Sequence, residues 1–438
     1  MKRAVLAFLI LAITSPCFAK YSGGSGTADD PYQIATAADL LALGANTGDY
    51  SSHFVLTADI DLDPNLPGNQ IFTTAVIAHM VGAAFTGVFD GGGHRIANLT
   101  IVGALGHYLG LFGYVNGGEI KNLGLENVSI NGGETGGLVG RNFDGSISNC
   151  YSTGAITSGA NSDSLGGLVG ENEYGTISNC YSTCTVIGGD DSGELGGLVG
   201  HNYAGTISGC HSTGAVTGGY EPYCLGGLVG GNVGTISNCY STGNVAGGSA
   251  LGGLVGYNFD SSINNCHSTG AVIGGDDSSD LGGLVGGDDG NISNCYSTGD
   301  VTGGDGSYSI GGLVGGSYGG SSISNCYFLI TSGPNNGYGV PLTDEQMRQQ
   351  ASFVGWDFND VWHICEVTNY PKLIWQMLLA DFVCPDGVNF ADYGFFANWW
   401  GAENCAANNN CDGADLTGDG NVDIDDLVAF SNDWLSGF

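Results

Sequence analysis

Seven copies of Gly-Gly-Leu-Val-Gly begin at Gly136, Gly166, Gly196, Gly226, Gly252, Gly282 and Gly311, at gaps of 30, 30, 30, 26, 30 and 29 residues. A fixed period of this size makes each repeat one supersecondary unit that buries its apolar face only by stacking on its neighbours. A second row travels with the first. It reads Ile147-Ser148-Asn149-Cys150-Tyr151-Ser152-Thr153, with near copies centred on Cys180, Cys210, Cys239, Cys266, Cys295 and Cys326.

Between these anchors the apolar residues are few and short-ranged: Leu165, Leu168-Val169, Ile177, Cys180 and Val186-Ile187, separated by Gly, Asn, Ser and Asp. That pattern excludes helices over the array. Three short β segments per repeat, bounded by turn residues, predict an all-β chain: a right-handed parallel β-helix with coils stacked at about 4.8 Å. An upstream degenerate copy, Leu109-Gly-Leu-Phe-Gly113 followed by Ile120-Lys-Asn-Leu123, makes eight coils, about 40 Å at that spacing.

The chain has 438 residues, 81 of them Gly, and sets 8 Lys and Arg against 43 Asp and Glu. No cationic cluster exists to neutralise phosphates, which excludes nucleic acid and anionic membranes as partners. Met1-Lys2-Arg3, the apolar run Ala4 to Ile13 and the small-residue exit Cys17-Phe18-Ala19 read as a secretory signal cleaved after Ala19, so the mature chain is expected outside the cell. Its formal charge is then −37, from six basic and 43 acidic groups. No other apolar run approaches the ~20 residues of a membrane span.

In the degenerate repeat Leu123 stands where later repeats have Cys. The position is therefore an inward core site, and the cysteines are expected to form a column of buried thiols. Disulfides and metal ligation fit poorly, because in-register neighbours have unfavourable bridging geometry and no Cys-x-x-Cys spacing occurs. Cys184, Cys224, Cys365, Cys384, Cys405 and Cys411 remain as possible bridges of open connectivity. Strand alternation sends the next residue outward, giving a surface ladder of Tyr151, Tyr181, His211, Tyr240, His267, Tyr296 and Tyr327. Such a ladder either offers a platform for sugar rings or stabilises adjacent strands. Two Asn rows, Asn142, Asn172, Asn202, Asn232 and Asn258, and Asn149, Asn179, Asn238, Asn265, Asn294 and Asn325, are read structurally: Asn tolerates left-handed turns, and its amide can bond to the next coil.

The Gly-Leu-Val-Gly cores with Ile-Ser-Asn-Cys-Tyr-Ser-Thr-Gly between them resemble the GLUG-motif repeats of exported bacterial proteins. The lead-in, with Gly26 to Ile34, Leu56 to Leu62 and Phe85 to His94, resembles segments that open such arrays. Similar repeats accompany an immunoglobulin-cleaving metallopeptidase and large adhesins, so the resemblance implies surface work without fixing an activity.

A second resemblance lies at the C-terminus. Asp415-Leu-Thr417-Gly-Asp419-Gly420-Asn421-Val-Asp423-Ile-Asp-Asp426 resembles the calcium loop of a type I dockerin, a variant EF-hand loop. The resemblance implies calcium held by Asp415, Thr417, Asp419, the Asn421 carbonyl, Asp423 and Asp426, with Gly420 at the sharp turn. It also implies a cohesin-like protein domain as partner. Thr417 departs from the usual Asn or Asp. A damaged duplicate precedes it, with Asp381, Asp386, Asn389 and Asp392 as weaker ligands, and Phe396 and Trp400 matching Phe430 and Trp434. Between array and tail, Thr343 and Gln346 predict a capped helix start, and Phe353, Trp356, Phe358, Val361 and Trp362 an apolar plug for the open end of the last coil.

Catalytic signals are sparse. No His-Glu-x-x-His occurs, and Gly315-Gly-Ser317-Tyr-Gly319 lacks the strand-to-helix elbow of a nucleophile motif. Arg141, Glu171 and His201 follow the Gly motif in three successive coils and should stack on one face. They are the candidate catalytic residues if the chain is a carbohydrate-active enzyme, a polysaccharide lyase or glycoside hydrolase. The acidic turns at Asp190-Asp191 and Asp276-Asp277 are read as solvated loops.

The expected organisation is a signal peptide (1–19), an N-terminal cap with the first coils (20–105), the repeat β-helix (106–333), a C-terminal cap (334–378) and a dockerin-like calcium-binding domain (379–438). The expected function is that of an exported, non-catalytic surface or adhesion protein that binds carbohydrate or cell-surface ligands and attaches through its tail. The alternative is the enzyme just described, delivered by the same tail.

Overall fold

The computed structural model describes residues 20–79, 82–103, 108–384 and 387–434. The expected signal segment, residues 1–19, and Asp386 lie outside the described residues. The array is a parallel β-solenoid of about eight coils whose strands form three sheets along its length. Successive coils pair in register along their apolar columns, with local shifts after the buried Asn row. Val139 faces Val169, then Val199, Val229, Val255, Val285 and Val314. Ile147, Ile177, Ile207, Ile236, Ile263 and Ile292 form a second column, and the Leu-Gly pairs Leu165-Gly166 to Leu281-Gly282 a third. All these apolar side chains are fully buried in one continuous core.

The glycines of the repeat set how close the chain can fold on itself. A Cβ at Gly166 would lie 1.9 Å from the Val169 carbonyl oxygen, and one at Gly167 would meet the Gly197 oxygen at 2.2 Å. Any side chain there would force the coil open, which is why the pair Gly-Gly precedes Leu-Val throughout.

The two Asn rows divide the two roles between them. Asn142 donates from Nδ2 to Oδ1 of Asn172 at 2.8 Å, and the bond repeats through Asn202, Asn232 and Asn258 to end on Asp288. These side chains are buried, so the ladder satisfies polar groups that water cannot reach. Asn149, Asn179, Asn238, Asn265, Asn294 and Asn325 hold φ of 52 to 54°, and Gly209 takes the same place at 61° where the repeat lacks Asn.

At the N-terminal end a helix over Ala37–Ala45 opens with a Thr36–Asp39 capping box and buries Leu40 and Leu43 against the first coil. At the other end the chain closes the last coil differently from the expected plug. Val340–Leu342 adds a parallel strand to Tyr327–Leu329, and Asn336 donates to the carbonyls of Val314 and Gly315 at 2.8 and 3.0 Å. The short helix Asp344–Met347 forms with the Thr343–Gln346 capping box.

Candidate functional site

The ladder of rings after the cysteines is continuous from Tyr151 to Tyr296, while Tyr327, expected as its last rung, packs on Phe353 and Trp356 instead. Tyr151, Tyr181, His211, Tyr240, His267 and Tyr296 stack with centroids 4.8 to 5.1 Å apart and planes within 11°. It is not a surface feature along its whole length. The segment following the helix folds back along this flank, placing Trp356 and Trp362 against Tyr296 and Trp375 against His211 and Tyr240. Tyr296 donates to the Pro371 carbonyl at 2.7 Å, and Trp375 Nε1 to the Asn238 carbonyl at 3.0 Å. His267, Tyr296 and Tyr327 are buried; only Tyr151, Tyr181, His211 and Tyr240 stay partly open. The apolar plug therefore covers the side of the solenoid rather than its end, because stacked rings offer a larger apolar surface than one coil edge. Trp362, fully buried, removes roughly 200 Å² from water, about 5 kcal/mol as an upper bound.

Arg141, Glu171 and His201 do come together, in register on adjacent strands. Arg141 is heavily engaged: Nε lies 3.2 Å from Glu171 Oε2, too poorly aligned to donate, Nη1 donates to Tyr108 at 2.7 Å, and Nη2 pairs with Glu173. His201 Nδ1 is 3.4 Å from Glu194 Oε2. Burial, with the charges of Glu173, Glu134 and Glu194 around it, pushes the Glu171 carboxyl up to about 7 against the pull of Arg141. Glu134 is raised as well, again by burial first. Ser317 of the Gly-x-Ser-x-Gly match pairs with the Ser321 hydroxyl.

The cysteine column is a stack of buried thiols. The backbone N–H of Cys150 donates to Sγ of Cys180 at 3.4 Å, and the pattern recurs from Cys180 to Cys210 and Cys210 to Cys239. Burial holds the thiols of Cys180, Cys239 and Cys295 well above the ordinary range. Cys184 and Cys224 are free thiols, whereas Cys365 bonds Cys384 and Cys405 bonds Cys411.

The tail has its own small core around Phe396 and Phe430, between helices Phe390–Trp399 and Ile424–Asn432. Its two loops share one scheme. Asp415 accepts from Gly418 and Asp419 on Oδ1, at 2.7 and 3.2 Å, and from Gly420 on Oδ2 at 2.9 Å. Asp426 accepts from Thr417 at 2.9 Å and Asp423 at 2.8 Å. In the first loop Asp381 accepts from Gly387 at 3.1 Å, and Asp392 from Val383 and Asn389, both at 2.9 Å. Asn389 and Asp423 cap the two helices, and Asp419 Oδ1 turns back to the Asn421 amide at 2.9 Å. Asp392 and Asp426 are fully buried and Asp415 nearly so, yet the sequence from 379 to 438 contains no Lys, Arg or His against eleven Asp and Glu. Among the described residues no three His, Cys, Asp or Glu side chains gather closely enough to hold a metal ion.

Seven segments, 131–157, 161–187, 191–217, 221–246, 247–273, 277–302 and 306–331, match the GLUG motif. Seven coils of the solenoid are GLUG repeats. Halomucin of Haloquadratum walsbyi is 35% identical over 139 residues, which are 31% of this chain and 2% of that protein. A protein assigned as a Gly-rich membrane protein of Evansella cellulosilytica is 34% identical over 132 residues, 28% of this chain and 14% of that one. The chain thus spans a small part of the length of these relatives. Among solved structures, a protein assigned as an immunoglobulin A1 protease from Bacteroides ovatus aligns with a TM-score of 0.47 and 22% identity, over 81% of this chain and 95% of that one. An IgA1 protease aligns with a TM-score of 0.39 and 18% identity, over 67% and 21%.

One row of the GLUG repeats escapes a reading centred on cysteine. Phe143, Tyr203 and Phe259 directly follow ladder asparagines, and Phe143 and Tyr203 flank Tyr174 edge-on at 5.7 and 5.6 Å. Tyr174, Tyr203 and Phe259 are exposed. The signal was present as an aromatic at fixed offset in Arg141-Asn142-Phe143, His201-Asn202-Tyr203 and Tyr257-Asn258-Phe259.

Proposed function

We propose that this is an exported, surface-associated GLUG solenoid that displays its flanks to carbohydrate or cell-surface ligands and is attached through a calcium-dependent dockerin-like tail. The observation that carries the attachment is the set of buried carboxylates in a tail without a basic side chain. Burying carboxylates costs several kcal/mol each unless a cation or hydrogen bonds compensate. Backbone amides supply part of that compensation, and the oxygen-only donor set suits a hard divalent cation. Asp415, Thr417, Asp419, the Asn421 carbonyl, Asp423 and Asp426 would hold calcium, with Asp381, Asn389 and Asp392 forming a weaker second site. The ion would supply the positive charge that orders the loop against the two helices. Similarity to Halomucin and to a protein assigned to the membrane supports the surface reading, and the signal-like sequence from Met1 to Ala19 supports export.

Isothermal titration of the full chain with calcium tests the attachment. One strong site lost in Asp426→Ala, with capture of a cohesin domain that chelator reverses, is the expected result. Absence of calcium binding would overturn it. A second reading, a carbohydrate-active enzyme, is favoured by one observation: a carboxyl pushed up to about 7 at Glu171, beside Arg141 and close to His201, has the protonation state a general acid needs. Release of reducing ends or unsaturated products from a polysaccharide, abolished in Glu171→Gln, would replace the first reading with this one.

A further inference from the structure

The repeat beginning at Gly226 is four residues short, and the structure shows where most of them are missing. Register places Gly247 beside Gly274 and Ser249 beside Tyr223. Gly248 alone fills the turn that Gly219 to Pro222 fill in the coil before and Gly275 to Ser278 in the coil after. Elsewhere these turns stack. Asn161 N–H donates to the Asp190 carbonyl, Asp191 to that of Tyr220 and Asp277 to that of Asp305, each at 2.8 Å. At each of those donors φ is 54 to 57°, and Glu221 holds the same conformation at 50°. Above Glu221 the rung is missing. Its N–H has no protein acceptor among the described residues, and the turns on either side stand two coil spacings apart, about 10 Å.

The result is a notch of about 580 Å³, lined by Tyr220, Glu221, Pro222 and Tyr223 below, Gly247 to Ser249 at the floor, and Gly275 to Ser278 above. Tyr220 is 69% exposed and Tyr223 45%, although the Tyr223 hydroxyl is fixed by Asp163 at 3.0 Å. Tyr220 is held from its backbone, where its N–H donates to Asp190 Oδ1 at 2.7 Å. The volume lies within the range of ligand sites, which combine an apolar or aromatic wall with a few placed polar groups. Here those groups are the Glu221 carboxylate, which also holds the Tyr220 hydroxyl, and the unpaired Glu221 N–H, whereas Asp276 Oδ1 is turned to the next coil, where it accepts from the Asp305 N–H at 2.9 Å.

We propose that this notch binds one or two residues of a neutral glycan, with a sugar face against Tyr220 and its hydroxyls donating to the Glu221 carboxylate and accepting from the Glu221 N–H. Hydroxyl-to-carboxylate hydrogen bonds are short and strong, and an aromatic face takes the apolar side of a pyranose. Uronates and sulfated polymers are disfavoured, because they would bring like charge to the carboxylates of Glu221, Asp276 and Asp277 on a chain of formal charge −35. The inference rests on the carbohydrate-binding part of the proposed function and gives it a location.

The test is titration of the full chain with neutral hexasaccharides of glucan, xylan and mannan, and with polygalacturonate. Two variants accompany the parent: Tyr220→Ala, an exposed change that leaves folding intact, and insertion of Asp-Asp-Ser after Gly248, which restores the missing rung. At least one neutral hexasaccharide should bind, at least tenfold more weakly to Tyr220→Ala and not measurably to the insertion variant. Undiminished binding by both variants would overturn the notch while leaving carbohydrate binding in place. Failure of every neutral hexasaccharide would overturn both, and tighter binding of polygalacturonate would overturn the assignment of a neutral ligand.

Discussion

His267 Nε2 lies 3.0 Å from the side-chain oxygen of Gln376, a contact that ties a ladder ring to the C-terminal segment 109 residues further along the chain. The ring must stay neutral to remain there. Burial is the main cause that pulls its pKa down to about 4, Lys372 adds to the shift and the Gln376 hydrogen bond opposes it.

A folded-state pKa below the unfolded value of about 6.5 means that the unfolded chain binds the proton more readily. The stability this provides is complete above pH 6.5 and is lost as pH falls from about 6.5 towards 4, by about 2 to 3 kcal/mol. Fluorescence of Trp356, Trp362 and Trp375 should report release of the flank segment over that window. His267→Tyr, the residue found at neighbouring rungs, should flatten the transition. An unchanged profile in this variant would show that another group controls the segment.

Glu171 should behave in the opposite sense. Its carboxyl is raised above the unfolded value of about 4.3, so its charged form is disfavoured in the folded chain and its contribution to stability falls as pH rises from about 4.3 through 7. Glu171→Gln is expected to stabilise the solenoid by about 1 to 2 kcal/mol at pH 8, a figure reduced for solvent screening, and by almost nothing at pH 4. Denaturant melts at the two pH values check the sign. Equal shifts at both would refer the effect to packing.

The architecture was legible because its cause is periodic. Gly-Gly-Leu-Val-Gly and Ile-x-Asn-Cys each repeat a steric requirement, and Leu123 in the degenerate copy identified the cysteine position as core. The flank contact at His267 was hidden because strand alternation only says that a side chain leaves the core. It does not say what covers it, and Trp362 and Trp375 arrive from a segment with no repeat of its own. The helix at Ala37–Ala45 stayed unseen for a similar reason, since its Thr36–Asp39 box is a single local signal beside a long β pattern. Arg141, Glu171 and His201 were aligned correctly by the period, but Tyr108 and Glu173, which engage Arg141, lie off that alignment.

The amide ladder makes a directional prediction. Asn202 accepts from Asn172 and donates to Asn232, both at 2.8 Å. Asn202→Leu would strip one Nδ2 hydrogen of Asn172 and one lone pair of Asn232 Oδ1 of their partners, leaving them only the Gly175 carbonyl at 3.1 Å and the Gly234 N–H at 3.2 Å, a loss of about 1 to 3 kcal/mol. Asn202→Asp keeps the acceptor alone and should be milder at low pH, where the carboxyl carries a proton to donate. Thermal melting at pH 4 and 8 separates the two variants. If Asn202→Leu melts like the parent, the ladder contributes geometry and little stability.

The thiols give a stoichiometric check on the whole core. Nine described cysteines are free, eight of them buried, and the exception, Cys224, is pushed up to about 12 by burial together with Glu194 and Asp280. Thiol reagents attack the thiolate and must reach it, so burial withholds access from eight of the nine, and at Cys180, Cys184, Cys224, Cys239 and Cys295 it disfavours ionisation as well. Titration with a chromogenic disulfide at pH 8 should therefore count almost no groups in native protein prepared without residues 1–19. It should count nine after unfolding without reductant, because Cys365, Cys384, Cys405 and Cys411 are paired. A native count of several would mean that the column opens locally. Loss of one ladder bond in Asn202→Leu should raise the reaction rate of Cys210, in the same coil, before that of Cys326 at the far end.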